Sequence, residues 1–373
     1  MENQTKPEVK RLHSLDALRG FDMFWIMGGA SLFVGLASLT QWPLLHWWAG
    51  QLEHVKWNGF HFFDMIFPLF LFIAGISFPF SLAKRIAANQ SRKEIYKHII
   101  SRGLILVFLG ILYNNGVNFK FGELRYGSVL GRIGLAWMFA ALIWFNANRN
   151  FRIVWFCALL IGYWLLMLFF PAHDLGSTDV FSQEGNLASH IDRLLIPGKL
   201  YLGNHDPEGL FSTIPAIGTA LLGMFTGEFM LSDYPGGKPV KKVLYLIIAA
   251  IGLIIIGLLW NLVFPINKNL WTSSFVCYAG GLSLLLFALF YLVIDVWEYK
   301  KWAFFFVVIG LNPITIYLAG RIINFQNAGI FFFKGIADIM HPSWGPFIRG
   351  VAMVSVGWTF LYILYRKKIF MKV

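Results

Sequence analysis

Charge is what this chain has least of. Asp, Glu, Lys and Arg make up 13% of its 373 residues, about half the share of an ordinary soluble domain. With 57% of the residues hydrophobic, a soluble globular protein is excluded. Cysteine is nearly absent: Cys157 and Cys277 both fall inside apolar blocks, so neither a disulfide framework nor a metal site is expected from them. HExxH, CxxC, P-loop, GxGxxG and GxSxG patterns are missing, which argues against a metalloenzyme, a nucleotide-binding domain and a serine hydrolase. No metal is expected. There is no low-complexity tract and no inverted repeat of the kind many transporters carry. The polar opening MENQTKPEVKRLHS lacks the features of a cleavable leader.

What the chain does have is a series of apolar blocks about 18–25 residues long, the length that crosses a bilayer as helix. They cover about 17–39, 61–83, 103–114, 128–145, 153–170, 210–230, 243–264, 272–294, 303–320 and 346–365. The expected fold is an all-α polytopic membrane protein of about ten transmembrane helices, a single domain over 1–373. The net charge of +12 does not point to nucleic acid, because the cations gather in alternate short loops: KPEVKR, KRIAANQSRKEIYKH, NANRNFR, GGKPVKK, EYKK and RKK. Cation-rich loops face the cytoplasm, which puts both termini inside and makes residues 1–15 a cytoplasmic tail. Residues 171–209 become a long periplasmic loop, too long for a passive connection. Residues 321–340 read as a partial or interfacial helix.

Residues 53–80, EHVKWNGFHFFDMIFPLFLFIAGISFPF, hold the densest candidate chemistry. His54, Trp57, Asn58 and His61 sit in a short loop, and the apolar run behind them contains one ionisable group, Asp64. A carboxylate at a helix mouth in a membrane needs a partner or a wet cavity. A histidine just ahead of it is a proton-transfer group beside something that can orient it. A structural pair that pins the helix start is the plainer alternative. Other polar groups collect at the same expected face: Arg132, Asp206, Glu208, Asn267, Lys268, Asn269 and Trp271, with Asn312 beside Pro313 in the ninth block. Convergence of this kind suggests a lined cavity. Each group also has a plainer role. Trp57, Trp271 and Trp344 suit an interfacial belt, DPEG suits a helix N-terminus, NPITIY suits a kink, and Arg132 suits an ion pair with Asp64. His46, His61, His205 and His341 read mostly as exposed.

The strings SLDALRG, HVKWNGFHFFDMIFPLFLFIAG, VLGRIGL, HIDRLLIPGKLY, DPEGLFSTI, NKNLW, GLNPITIY and YILYRKKIF together resemble the heparan-alpha-glucosaminide N-acetyltransferase family, in its order and over nearly the whole chain. WNG with the DxxFP that follows, DPEG and NKNLW are specific in combination, whereas SLDALRG is shared with broader membrane acyltransferases. The resemblance implies cytosolic acetyl-CoA as co-substrate and the amine of a glucosamine-type sugar or oligosaccharide as acceptor on the far side. It places the family's active-site histidine, which stands just ahead of WNG, on His54, as base or as acetyl carrier. Where members carry an asparagine near the outer end of the first span, this chain has Gly29 or Ala30.

On that footing the catalytic set is His54, Asp64 and Asn58. The substrate-binding set is Asp206, Glu208, Asn267, Asn269, Trp271, Asn312 and Arg132. Arg19, Lys84, Arg85 and Arg102 are expected to hold the CoA phosphates. The expected setting is the lipid bilayer of a bacterial inner membrane, without a nucleic-acid partner and with a homodimer as the candidate assembly. A transporter of sugars or other solutes, or an O-acyltransferase acting on polysaccharide or lipid hydroxyls, is the alternative.

Overall fold

In the computed structural model of the chain, residues 12–172, 174–234, 236 and 238–371 are described. Among them every named element is helical, and extended pairing is limited to one isolated bridge between Arg125 and Gly198. Nine helices among the described residues are long and apolar enough to cross a membrane, or ten when one sharply bent pair counts as a span. This is the all-α multi-pass architecture expected from the apolar blocks.

The first span starts earlier than its apolar block. Helix α1 (His13–Phe24) passes through a π-turn at Trp25–Gly29 into α2 (Ala30–Ala37), and Gly28 takes φ 131°, which a side chain would oppose. After the short α3 (Pro43–Gln51), a 3-10 turn at Phe62–Met65 leads into α4 (Ile66–Ala87). Helix α5 (Arg92–Asn115) also begins well before its apolar block. The Ser91 hydroxyl accepts from the Glu94 amide at 3.3 Å while Glu94 accepts from the Ser91 amide at 2.7 Å. That capping box turns most of the basic stretch 84–102, read as loop, into two helix ends.

Helices α6 (Val129–Asn146) and α7 (Arg149–Phe169) follow, then the short α8 (Leu187–Leu195) inside the long connecting segment. Next come α9 (Thr213–Leu231), α10 (Pro239–Trp260) and α11 (Ser273–Phe290). Helices α12 (Ala303–Gly310) and α13 (Pro313–Ile322) form the bent pair, at 70°. The stretch 321–340 is mostly α14 (Phe325–Ile339), a 15-residue helix with Phe331, Phe332 and Ile339 exposed. Helix α15 (Gly345–Arg366) ends the bundle.

Helix α4 is the post on which the site is mounted. Leu69, Leu71, Phe72, Ile73 and Ile76 are fully buried, and its backbone meets that of α9 directly. A Cβ at Gly223 would lie 2.1 Å from the Phe72 carbonyl oxygen, and one at Gly75 would lie 2.3 Å from that of Ala220. In lipid, helices associate through this kind of close packing rather than through a hydrophobic drive between them. Outward faces of α7 and α10 are apolar, with Val154, Trp155, Ile248 and Ile255 exposed, as lipid contact requires. Since α4 has 22 residues, it is about 33 Å long, so groups at its two ends stand on opposite sides of the bundle.

Candidate active site

The loop before α4 is held by the turn before α11. The Gly59 amide donates to the Ile266 carbonyl at 2.8 Å, the Asn269 side chain to the Lys56 carbonyl at 3.3 Å, and the Asn267 side chain to Asn58 Oδ1 at 3.0 Å. Asn267 Oδ1 in turn accepts from the Leu270 amide. Asn58, Asn267 and Asn269 therefore form a clasp between the WNG and NKNLW segments. Trp57 is not a free belt residue. Its indole donates to the Phe181 carbonyl at 2.8 Å and its ring meets His205 edge-on at 5.1 Å, tying the long segment to this loop.

Asp64 lies under the loop with 1% of its side chain exposed. His54 Nδ1 approaches Asp64 Oδ1 at 2.7 Å, while Oδ2 accepts from the His61 amide at 3.0 Å and the Val55 amide at 3.4 Å. A carboxylate at Nδ1 fixes the tautomer: Nδ1 carries the proton and donates it, and Nε2 keeps a free lone pair. The His54 side chain is 49% exposed, so that lone pair is reachable. Lys268 Nζ completes the group, 3.0 and 3.1 Å from the two ring nitrogens and 3.7 Å from Asp64 Oδ1. The Arg132–Asp64 pair weighed from the sequence does not form. Arg132 is buried, donates to the Gly209 carbonyl at 3.1 Å and to the Ser212 hydroxyl, and lies over the Trp271 ring at 5.0 Å.

Asp206 and Glu208 are held by a residue the sequence did not single out. Arg125 donates through Nε and Nη2 to the two oxygens of Asp206, at 2.9 and 2.7 Å, and also bonds Glu208. Asp206 further accepts from the amides of Tyr201 and Glu208, so both oxygens are filled and the residue is closed to solvent. Burial pushes its carboxyl up, yet the Arg125 guanidinium and those amides hold it below the usual range. The same pairing raises Arg125. DPEG therefore serves as an ion-pair anchor rather than a cap on α9. His205, expected to be exposed, is wholly buried, bonded to the Ser189 hydroxyl at 2.7 Å, and lowered by burial to about 4. Nearby Asp192 is raised by burial to about 6, although it accepts from the Leu210 and Phe211 amides.

His54, Lys268 and Glu208, with the Tyr317 phenol, are the ionisable groups at a cavity whose empty space, including its open part, is about 820 Å³. Its other walls are mainly apolar, from Met23, Phe67 and Ile133 to Ile314 of α13. Of the seven expected substrate contacts, all of them described residues, Glu208 lines it and the other six do not. Trp271 is fully buried, with its indole on the Thr219 hydroxyl at 3.1 Å and Phe67 edge-on. Asn312 is buried and pins the C-terminal tail, donating to the Ile369 carbonyl at 2.9 Å and accepting from the Met371 amide at 3.1 Å.

Between the middle of α4 and its last turn, away from His54, three of the four expected cations come together. Arg19 donates to Ser77 Oγ at 3.0 Å and pairs with Asp16 at 3.3 Å, and Arg102 lies over the Trp137 ring at 4.3 Å. Arg85 donates to Gln90 at 2.8 Å. The charges of Arg19 and Arg85 are each close enough to repel that of Arg102. Lys84 is exposed in the same helical turn.

Lys268 and Arg125 are the two residues missing from the expected site sets. The signal they carry is their place, as cations in loops on the cation-poor side of the chain.

No family model matches the chain. Two curated relatives do. The heparan-alpha-glucosaminide N-acetyltransferase of Homo sapiens is 27% identical over 417 residues, covering 97% of this chain and 60% of that protein. The protein of the same name from Mus musculus is 25% identical over 422 residues, covering 99% and 61%. The chain thus spans about three fifths of the length of the curated relatives it matches. Matches running nearly end to end along this chain support a relationship at the level of the family.

Proposed function

From that family-level relationship we propose that the chain is a membrane acetyltransferase. It takes acetyl from acetyl-CoA at the cytoplasmic side and passes it to the amine of a glucosamine-type sugar at the periplasmic side of a bacterial inner membrane. The observation that carries this reading is the cavity at His54: a reachable imidazole, oriented by a buried carboxylate, opens on an apolar-walled space, with a cation cluster along the other half of α4.

Transfer requires an amine to lose a proton and a thioester oxygen to gain negative charge. The amine nitrogen forms a bond to the acetyl carbon, the carbon–sulfur bond breaks, and the amine proton passes to His54 Nε2 and then to the departing thiolate. Asp64 supports the imidazolium formed between these steps. In the two-step variant Nε2 itself accepts the acetyl group and then yields it to the amine. Glu208, at the cavity and partly exposed, is the acidic group available to an acceptor ammonium or hydroxyl. Asn58, Asn267, Asn269, Trp271, Arg132 and Asp206 brace the loops and helix ends around it. Arg19, Lys84, Arg85 and Arg102 are the groups suited to the CoA phosphates.

The test uses the purified full chain with acetyl-CoA and glucosamine. The expected result is release of free CoA thiol that depends on the sugar, with N-acetylated sugar as product. Sugar flux across vesicles without acetylation would contradict the proposal and favour a transporter.

A further inference from the structure

Lys268 stands at the centre of this site without a step of its own. Its side chain is 14% exposed and lines the cavity with His54 and Glu208. Being almost equally far from both His54 nitrogens, 3.0 and 3.1 Å, the ammonium must lie over the face of the ring. In the ring plane it would run into the carbon between the two nitrogens. The in-plane lone pair of Nε2 is thus left open, with a cation poised above it. The contact to Asp64, at 3.7 Å, is an attraction of charges and longer than a hydrogen bond, so the ammonium keeps donors to offer the cavity.

We infer that Lys268 is a catalytic residue, whose ammonium receives the negative charge that builds on the thioester oxygen as acetyl is transferred. The inference rests on the acetyltransferase reading. As the carbon–nitrogen bond forms, the carbonyl electron pair moves onto oxygen beside Nζ. When it returns, the carbon–sulfur bond breaks and CoA leaves as thiolate, to take the proton held by His54. Lys268 neither gains nor loses a proton over the cycle. A fixed donor of this sort, placed where charge develops in a site with little water, is a strong source of acceleration.

The role requires Lys268 to be charged. Burial lowers its pKa and Arg132 adds to that, while Asp64 and Glu208 oppose it; the net direction is below the ordinary lysine range. His54 faces it directly, and the Tyr317 phenol shares the cavity. An acetyl-transfer rate that depends on the charged form therefore falls on the alkaline side, earlier than an ordinary lysine titrates.

The experiment compares the full-length wild type with Lys268→Met and Lys268→Arg in acetyl transfer to glucosamine across pH. Thermal stabilisation by CoA, which has no acetyl carbonyl, serves as the control for folding and binding. In Lys268→Met, kcat should drop about 10²–10³-fold, the usual cost of one such donor, with CoA stabilisation unchanged. Lys268→Arg should keep most of the rate and lose the alkaline decline, because arginine stays charged. A Lys268→Met rate equal to wild type, or an alkaline decline that persists in Lys268→Arg, overturns the role. If Lys268→Met does not fold, the Lys268→Arg profile still decides. Wild-type protein that releases no CoA overturns the acetyltransferase reading and this inference together, whereas active wild type with an equally active Lys268→Met overturns this inference alone.

Discussion

Replacing Asp64 by Asn keeps the shape of the side chain and removes its charge. In the structure one carboxylate oxygen faces His54 Nδ1 and the other faces two backbone amides. An amide has a single acceptor oxygen, so it can serve one of those sets while its NH₂ confronts the other. If the oxygen stays with the backbone amides, the NH₂ points at Nδ1 and forces the proton onto Nε2, the nitrogen needed as base. The same exchange in a Ser-His-Asp site costs about 10⁴ in kcat, equivalent to about 5 kcal/mol of transition-state stabilisation. If instead the oxygen stays with Nδ1, two buried amide donors lose their acceptor, at about 1–3 kcal/mol of stability for an unsatisfied group. The variant therefore loses rate, stability or both, and the assay pairs thermal unfolding with sugar-dependent CoA release. Asp64→Asn with wild-type turnover and wild-type stability would refute the orienting role.

Three further outcomes are expected. His205 has its folded pKa lowered to about 4, against ~6.5 when unfolded. Its neutral form therefore supports the fold fully above ~6.5, and about 3 kcal/mol is lost as pH falls through that window. Tm measured from pH 7 to pH 4 should accordingly fall less in His205→Gln than in wild type, and identical slopes would contradict this. In a Cys157→Ser background, a cysteine at Gln183 should react with an impermeant reagent added outside cells and one at Asn89 should not; reaction at Asn89 would invert the proposed orientation. Arg85→Gln should reduce the thermal stabilisation that CoA gives the protein, and an unchanged shift would leave Arg85 with orientation alone.

The helical architecture was legible because apolar length is a strong signal in a chain that must satisfy its backbone inside lipid. Helix ends were less so. Residues 92–102 are too polar to extend the fifth helix by hydropathy, and only the capping pair Ser91 and Glu94 marks its true start. His54 and Asp64 could be read as a pair because they are close in sequence and isolated in an apolar setting. Lys268 lies 214 positions from His54, and nothing local in INKNLW says which loop it will meet. Asn312 shows the opposite difficulty. A polar group in an apolar block looks like a site residue, yet here it fastens the C-terminal tail through bonds to residues 369 and 371. Asp206 and Trp271 stand in motifs at the site's edge and are consumed by structure, the first by Arg125 and the second by Thr219 and Phe67. Spacing along the chain marks which segments converge; side-chain accounting in three dimensions decides which groups remain free to react.

In the proposed function, acetyl passes from one side of the membrane to the other through the cavity at His54. The most direct test loads sealed vesicles containing the oriented full-length chain with acetyl-CoA on the side of the Arg85 cluster and glucosamine on the other. The expected result is N-acetylated sugar on the glucosamine side, no free acetyl-CoA crossing, and loss of the product in His54→Ala, whose CoA stabilisation persists. Product that forms only when both substrates share one side, or that forms equally well in His54→Ala, would contradict it.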